Sequence, residues 1–158
     1  MLFTEFMRFL KPPNPVKEFV GATSESIRRG CKLFERVGCA LCHTPTLRTG
    51  KESDLAALNE REARLYSDLL LHHMGSRLAD GIVQGHAGPD QFRTAPLWGI
   101  GQRIFLLHDG RTTDLLTAIQ EHASDGEGYH SEADAIVERF NEMSQPEQQD
   151  VLNFLRSL

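Results

Sequence analysis

The stretch Gly38-Cys39-Ala40-Leu41-Cys42-His43 decides how this chain of 158 residues folds. Two thiols separated by two residues can reach both vinyl groups of one porphyrin, and a histidine directly after them places its imidazole on the iron. The sequence therefore predicts one covalently attached haem c. Cys39 and Cys42 are its predicted attachment points, and His43 is a predicted axial ligand of the iron.

Two other kinds of site contain a Cys-x-x-Cys pair, namely zinc sites and thioredoxin-like redox sites. A zinc site needs a second pair of ligands. The third cysteine, Cys31, is not part of a second Cys-x-x-Cys pair. A thioredoxin-like site needs a surrounding βαβ pattern, which is missing here. Cys31 falls on the apolar face of a predicted helix, so we expect it to pack in the core.

Composition excludes two classes of partner. The 22 acidic and 17 basic residues are mixed along the chain and give a net charge of -5, so no basic patch for DNA or RNA is predicted. No apolar run approaches the roughly 20 residues that cross a bilayer, so no membrane span is predicted.

The cellular location follows from the haem motif. Haem is attached to Cys-x-x-Cys-His outside the cytoplasm, so we expect a periplasmic or otherwise exported protein. Residues 1–10 lack the cationic start and the small-residue cleavage site of a secretory signal. We therefore expect the sequence to be a mature or trimmed form, or a fragment of a larger protein.

A short N-terminal arm precedes the main body of the chain. Apolar residues at helical spacing predict a helix over 3–10, and Pro12, Pro13 and Pro15 stop it, because proline lacks the amide donor. The predicted organisation is an arm over 1–22 and one mono-haem domain over 23–158.

The predicted fold class is mainly α, a cytochrome c-like haem domain with long irregular loops. N-cap residues and apolar faces predict helices over 24–37, 61–74, 115–123, 131–143 and 144–158. The glycine-rich and proline-rich segment 80–101 is predicted to be a long loop. Strand signals are weak throughout, and the helix that ends at Gly38 is expected to cross the last helix.

Several further blocks agree with one known family, in the same order along the chain. They are Gly30-Cys31-Lys32-Leu33-Phe34, Leu47-Arg48-Thr49-Gly50, residues 65–75, residues 92–101 and Leu107-His108-Asp109-Gly110-Arg111. Together they resemble the C-terminal haem domain of the di-haem thiol oxidoreductase-like proteins. That group belongs to the superfamily of bacterial di-haem cytochrome c peroxidases and MauG.

One departure from these relatives bears on function. They carry two Cys-x-x-Cys-His motifs on one chain, whereas this sequence has one. In the peroxidases the N-terminal haem opens to peroxide and the C-terminal haem relays electrons to it. The resemblance thus implies that this chain corresponds to the relay half, whose partner is a redox protein or a second haem domain.

The sixth ligand of the iron must come from elsewhere in the chain. The candidates are His72, His73, Met74, His86, His108, His122 and His130. The resemblance implies the position fourteen residues beyond His108, which is His122. Independently, His122 ends an apolar helix face that begins at Leu115, and histidine is a common metal ligand. A buried histidine without a ligand role and ligation by Met74, whose thioether would raise the haem potential, remain the alternatives.

Other residues are predicted to contact the haem. Arg93 and Arg111 can neutralise propionates, because a guanidinium matches a carboxylate bidentately, although either could be a solvated surface charge. His108, in a tight turn, is expected to bind a propionate or anchor the loop. Trp98 is expected to pack against the porphyrin, and analogy with the superfamily suggests an electron-transfer role as the alternative.

Three functions are consistent with the sequence, and no catalytic residue is assigned. The first is a mono-haem cytochrome with two histidine ligands that transfers single electrons. The second is a peroxidase or thiol oxidoreductase-type enzyme, or its haem subunit, in which His122 is labile and an acid such as Glu121, Asp125 or Glu127 assists. The third is a haem-based ligand sensor.

Overall fold

The computed structural model describes residues 2–10, 12–51, 54–126 and 128–158, in which helix is the main regular structure. The helices in these residues are α1 (Leu2–Arg8), α2 (Ser24–Val37), α3 (Gly75–Leu78), α4 (Leu115–Gln120), α5 (Asp134–Asn141) and α6 (Gln145–Ser157). The strands are β1 (Leu47–Arg48), β2 (Glu62–Ala63), β3 (Leu71–His73) and β4 (Gln91–Arg93). Short 3-10 helices cover Cys39–Leu41, Ala56–Leu58 and Ile100–Gln102.

Helix α2 has the predicted bounds because local signals specify both of its ends. The Thr23 hydroxyl accepts a hydrogen bond from the Ser26 amide and caps the first turn. Gly38 follows the helix with φ of 110°, a left-handed conformation that favours glycine, and its amide donates to the Glu35 and Phe34 carbonyls. The chain therefore leaves α2 directly into the haem motif.

Helix α6 is also confirmed and packs across α2. Ser144 and Glu147 form a capping box at its start, with Pro146 in the first turn, where a missing amide hydrogen costs nothing. At the crossing, a Cβ at Gly30 would overlap the backbone carbonyl of Asp150, so the two backbones touch. The predicted crossing of the first long helix with the last is confirmed.

The hydrophobic core lies between this helix pair and the segments that follow the haem motif. Its buried members are Leu33, Phe34, Val37, Leu97, Leu106, Leu115, Ala118, Phe140, Val151, Leu152, Phe154, Leu155 and Leu158. Cys31 is partly buried and packs against this core, as predicted.

The helix predicted over 61–74 is wrong. That segment contains strands β2 and β3, which pair antiparallel with β1 and β4 respectively. Tyr66 and Leu69 have φ of 51° and 63°, left-handed values that interrupt a helix. Between them Ser67 is fully buried, and its hydroxyl donates to the Thr94 carbonyl at 2.7 Å. A long-range hydrogen bond therefore replaces local helical bonding here.

Three other predictions need smaller corrections. The segment 80–101 is irregular for most of its length but contains β4 and begins a 3-10 helix. Helix α4 ends at Gln120, so His122 lies in the turn after the helix. Helix α5 begins at Asp134, because Ser131 is taken up in a bridge with Met74.

The arm contains the predicted helix as α1, followed by an extended proline segment. Val16 ties the segment after the prolines to the body, with its amide donating to the Ser157 carbonyl at 2.8 Å. Among the described residues, no helix combines the length and the apolar character needed to cross a membrane.

Candidate haem site

A cavity of about 370 Å³ opens beside the haem motif. Helices α2, α4 and α6 contribute apolar walls, and the segment from β3 to the 3-10 helix closes the opposite side. Of the predicted haem residues, seven line this cavity: Cys39, Cys42, His43, Met74, Arg93, His108 and His122.

The motif reaches the cavity because the chain turns sharply after α2. Cys39–Leu41 forms a 3-10 turn, and the His43 amide donates to the Cys39 carbonyl at 2.9 Å. Both motif cysteines are free thiols of intermediate burial. Burial raises the pKa of Cys39 to about 11 and also raises the pKa of Cys42, so both are protonated at neutral pH.

The His43 imidazole is held in one orientation. Its Nδ1 donates to the Tyr66 carbonyl at 3.0 Å, and because a carbonyl only accepts, this bond fixes the hydrogen on Nδ1. Nε2 then keeps its lone pair, as a metal ligand must. Burial lowers the pKa of His43 to about 4, so the ring is neutral at physiological pH.

The His122 imidazole is also held in one orientation by a backbone carbonyl. Its Nδ1 donates to the Ala118 carbonyl at 2.7 Å, which again leaves Nε2 with the free lone pair. Burial lowers its pKa, so it is also neutral. The Ser131 hydroxyl donates to the His122 carbonyl at 2.5 Å and fixes the turn that carries it.

The separation of these two rings fits an iron between them. A bond from a metal to an imidazole nitrogen is about 2.0 Å long, and the ring radius is about 1.1 Å. Two imidazoles on opposite sides of one metal therefore place their ring centroids about 6.2 Å apart. The centroids of His43 and His122 are 6.4 Å apart, so the residues present fit a haem iron with two histidine ligands.

The other predicted cavity residues surround this pair. Met74 lines the cavity, and its amide donates to the Asp90 carbonyl at 2.8 Å. His108 stacks on Phe92 with ring centroids 4.2 Å apart. Arg93 lines the same wall, so a cation and an imidazole are available for propionate groups.

Two predicted haem residues lie elsewhere. Trp98 lines a second cavity of about 240 Å³, walled by the proline segment of the arm, and its indole donates to the Arg64 carbonyl. Arg111 is absent from the residues that line the haem cavity, and its guanidinium bonds Asp109 and Glu121. Neither lines the haem cavity, and the hydrogen-bond partners of both side chains also lie outside the lining residues.

The remaining candidates for the sixth ligand divide similarly. His72 lines the cavity, whereas His73, whose Nδ1 lies 2.7 Å from Asp90, does not. His86 and His130 are exposed and are not among the lining residues. Of the acids proposed to assist catalysis, Glu121 is bonded to Arg111, and Glu127 lies outside the described residues.

Sequence reasoning missed a charged cluster at the cavity wall. His72 lies between two carboxylates, with Nε2 2.9 Å from Asp68 and Nδ1 2.7 Å from Glu132. Burial alone would lower the pKa of His72, but the bonds to Glu132 and Asp68 outweigh it and raise the pKa. Cys42, Asp68 and His72 offer ligand atoms within 4.8 Å of one another. His72 and Glu132 are 60 residues apart, so no local sequence pattern predicts their hydrogen bond.

Sequence reasoning also missed a second arginine at the cavity. Arg103 lines the same cavity as Arg93 and His108. It follows a 3-10 turn at the end of a glycine-rich segment, where an isolated arginine gives no local signal. Arg103 therefore joins Arg93 and His108 at the cavity, whereas the predicted Arg111 does not line it.

Comparisons with known proteins concern the family and the fold. Residues 13–158 match the family described as "Di-haem oxidoreductase, putative peroxidase". A chain of the Kuenenia stuttgartiensis hydrazine synthase pressurized with 20 bar xenon is similar in structure, with a TM-score of 0.58 and 19% identity. The match covers 97% of this chain and 52% of that chain, so this chain spans about half its length.

At this identity, the likeness to the hydrazine synthase chain concerns the fold. No curated protein matches the sequence significantly. The family match, in contrast, covers nearly the whole chain and confirms the family predicted from the sequence blocks. The chain therefore belongs to the di-haem oxidoreductase family.

Proposed function

We propose that this chain is a mono-haem electron-transfer domain whose iron has two histidine ligands. The observation that carries the proposal is the pair of imidazoles of His43 and His122 in one cavity, at a centroid separation of 6.4 Å. Each ring donates its Nδ1 hydrogen to a backbone carbonyl, so each offers Nε2 to a metal. Both rings line the same largely apolar cavity, and neutral imidazole is a common metal ligand.

The proposed haem is held covalently and through its charged groups. Cys39 and Cys42 would form the two thioethers, and Arg93, Arg103 and His108 would face the propionates. When bound, the haem supplies a centre that gains and loses one electron. The apolar walls from α2 and α6 keep water from the iron, which favours electron transfer over ligand exchange.

The hydrogen bonds of the two imidazoles support the proposal of a rigid site that is closed to external ligands. Because Tyr66 and Ala118 present carbonyls to the two imidazoles, neither ring can rotate without losing a buried hydrogen bond. With two imidazole ligands the potential is expected to be lower than with a methionine ligand.

The partner is proposed from a mismatch between family and chain. The family is described as di-haem, whereas this sequence contains one Cys-x-x-Cys-His motif. We propose that the second haem belongs to a redox partner protein or a further haem domain. The mono-haem domain is assigned to 23–158, with 1–22 as an arm, in an exported location where haem attachment takes place.

The test uses holoprotein prepared with a haem-attachment system. We expect low-spin ferric and ferrous spectra that carbon monoxide and peroxide do not change, and a haem that stays with the polypeptide under denaturing conditions. His122→Ala should open the iron to carbon monoxide, whereas the matched Met74→Ala should leave the spectrum low-spin. Loss of low-spin character in Met74→Ala alone would show that the thioether, not His122, is the sixth ligand.

A peroxidase is the second candidate, favoured by one observation. Glu132, a carboxylate bonded to His72, lines the same cavity as His122, so an acid would be available there if that ligand moved away. In this case the wild-type protein would show a high-spin component or react rapidly with peroxide. A closed, unreactive wild-type spectrum would exclude this candidate for the isolated chain.

A further inference from the structure

The turn that carries His122 depends on distant side chains. Helix α4 has six residues, a length at which a helix is marginal without tertiary contacts. His122 follows its end, and its imidazole is bonded to the carbonyl one turn earlier, at Ala118. Whatever fixes the end of α4 therefore fixes the imidazole.

Two arginines converge on the residue before His122. Arg111 Nη1 donates to Glu121 Oε2 at 3.1 Å, and Arg77 Nη1 lies 3.8 Å from Glu121 Oε1. Arg77 also donates to the Gln120 carbonyl at 3.5 Å, one of the carbonyls left free at a helix end. Cations at this end are favoured by the helix dipole as well.

Arg111 is itself locked in place by three further bonds. Its Nε donates to Asp109 Oδ2 at 2.7 Å, its amide donates to Asp109 Oδ1 at 3.2 Å, and Nη1 also donates to the Arg77 carbonyl at 2.7 Å. The side chain is 31% exposed, so these bonds are only partly screened by water. Arg111 thereby joins α3, the turn around Asp109 and the end of α4.

The joined turn also faces the haem cavity. His108, next to Asp109, lines the cavity, and a bridge between Leu106 and Thr112 closes the turn at its base. A shift of this turn would therefore move a cavity wall and the sixth-ligand segment together.

We propose that Arg111 is a positioning residue for the sixth iron ligand, holding His122 in place through Glu121. This inference rests on the proposed ligation by two histidines and adds a residue that touches neither ligand nor iron. Without Arg111, the end of α4 loses its bond at Glu121 and the anchor on the Asp109 turn. The ligand-free state of His122 then becomes more populated and admits an external ligand.

The experiment compares holoprotein variants by carbon monoxide binding and by ferric spin state. In Arg111→Gln the population with His122 away from the iron should rise roughly tenfold, because charge-assisted bonds of this kind shift equilibria by that order, so carbon monoxide binding should become detectable where wild type shows none. Arg111→Lys should lie between the two, since lysine keeps the charge but cannot bond Asp109 and Glu121 as a planar fork. Glu121→Gln should resemble Arg111→Gln, and the double variant should add little further effect.

The matched control is Arg36→Gln, which removes another arginine–glutamate pair, Arg36 to Glu147 at 3.0 Å, away from the cavity. It should leave carbon monoxide binding unchanged. Thermal unfolding of all variants shows whether an effect follows general stability.

Three results would overturn the inference, and they differ from one another. If wild type is low-spin and Arg111→Gln behaves like Arg36→Gln, Arg111 does not position the ligand, while the proposed function stands. If Arg111→Gln shifts only the reduction potential, the arginine acts on the haem charge and not on His122. If wild type itself binds carbon monoxide, the ligation by two histidines fails and this inference fails with it.

Discussion

The α2–α6 helix pair and the segment 60–112 face each other across the haem cavity, and different forces hold them. The helix pair is held by burial, with Phe34, Val151 and Phe154 all less than 4% exposed. The opposite segment contains four residues with positive φ that are not glycine, namely Glu60, Tyr66, Leu69 and Leu107. It also exposes apolar side chains, among them Leu70 at 61% and Phe105 at 67%.

The difference separates stability from the chemistry of the site. The helix pair supplies most of the core, so it is expected to set the free energy of unfolding. The opposite segment supplies Met74, Arg93, Arg103 and His108 to the cavity and is held by long-range hydrogen bonds. Changes in the pair should therefore alter stability first, and changes in the segment should alter haem ligation first.

The largest effect is expected from Phe154→Ala in α6. Phe154 is 3% exposed, and its ring packs against Phe34 and Tyr66 with centroids 5.3 and 5.7 Å apart. Its truncation should lower the free energy of unfolding by about 4 kcal/mol, measured by urea unfolding. Phe105→Ala, on the exposed segment, is the matched control and should cost less than about 0.5 kcal/mol. Equal losses in the two variants would contradict the division between the two sides.

A second test adds one methyl group where the helices touch. Gly30→Ala should cost about 2 kcal/mol, because its Cβ would overlap the Asp150 carbonyl. Alanine favours a helix over glycine by about 1 kcal/mol, so helix propensity alone predicts the opposite sign. Lys32→Ala, at an exposed position of α2, should leave thermal unfolding unchanged. A stabilised Gly30→Ala protein would mean that the helices can move apart freely.

The third test addresses the opposite segment. Ser67→Ala leaves the Thr94 carbonyl and the Leu69 amide without their partner and should cost about 1.5 kcal/mol. Because the Ser67 segment also presents the Tyr66 carbonyl to His43, the ferric spectrum should change more than in Phe154→Ala. The exposed Thr46→Ala serves as the control. An unchanged spectrum would show that the segment does not control ligation.

The smallest effect is a pH dependence within the helix pair. Hydrogen bonds from Arg29 and Ser26 lower the pKa of Asp150, despite its burial. A depressed folded pKa gives stability that is present above the unfolded value of about 3.9 and is lost as pH falls through the folded value. Asp150→Asn should therefore be less stable at pH 6, and its difference from wild type should shrink below about pH 4. A difference that does not change with pH would point to packing instead.

Sequence patterns predicted the helix pair because its signals are local. Thr23 and Gly38 mark the ends of α2, and the Ser144 to Glu147 box marks the start of α6, each within a few residues of the element it limits. The helix wrongly predicted over 61–74 had apolar spacing in its favour. The observed conformation of this segment depends on the hydrogen bond from Ser67 to the carbonyl of Thr94, which lies 27 residues away in the sequence.

The site divides in the same way. Cys39, Cys42 and His43 lie within five consecutive residues and were predicted from the motif. His122 was predicted from a resemblance, with support from an apolar helix face. Arg103 and the Glu132 partner of His72 are defined only by the folded cavity. Trp98 and Arg111 are residue types that could contact a haem, but their hydrogen bonds hold them outside the cavity.

The contact at Gly30 fixes one point of α2, so a small rotation about that point displaces the end of the helix. The helix touches Asp150 through backbone atoms, which cannot adjust as side chains do. Cys39 lies nine residues further along the chain, about 13 Å at the rise of an α-helix. A tilt of about 5° about Gly30 would therefore displace Cys39, the proposed first attachment point, by about 1 Å. A small change in the angle between α2 and α6 would thus produce a larger displacement at the haem motif. Gly30 therefore affects the position of that motif as well as the packing of the two helices.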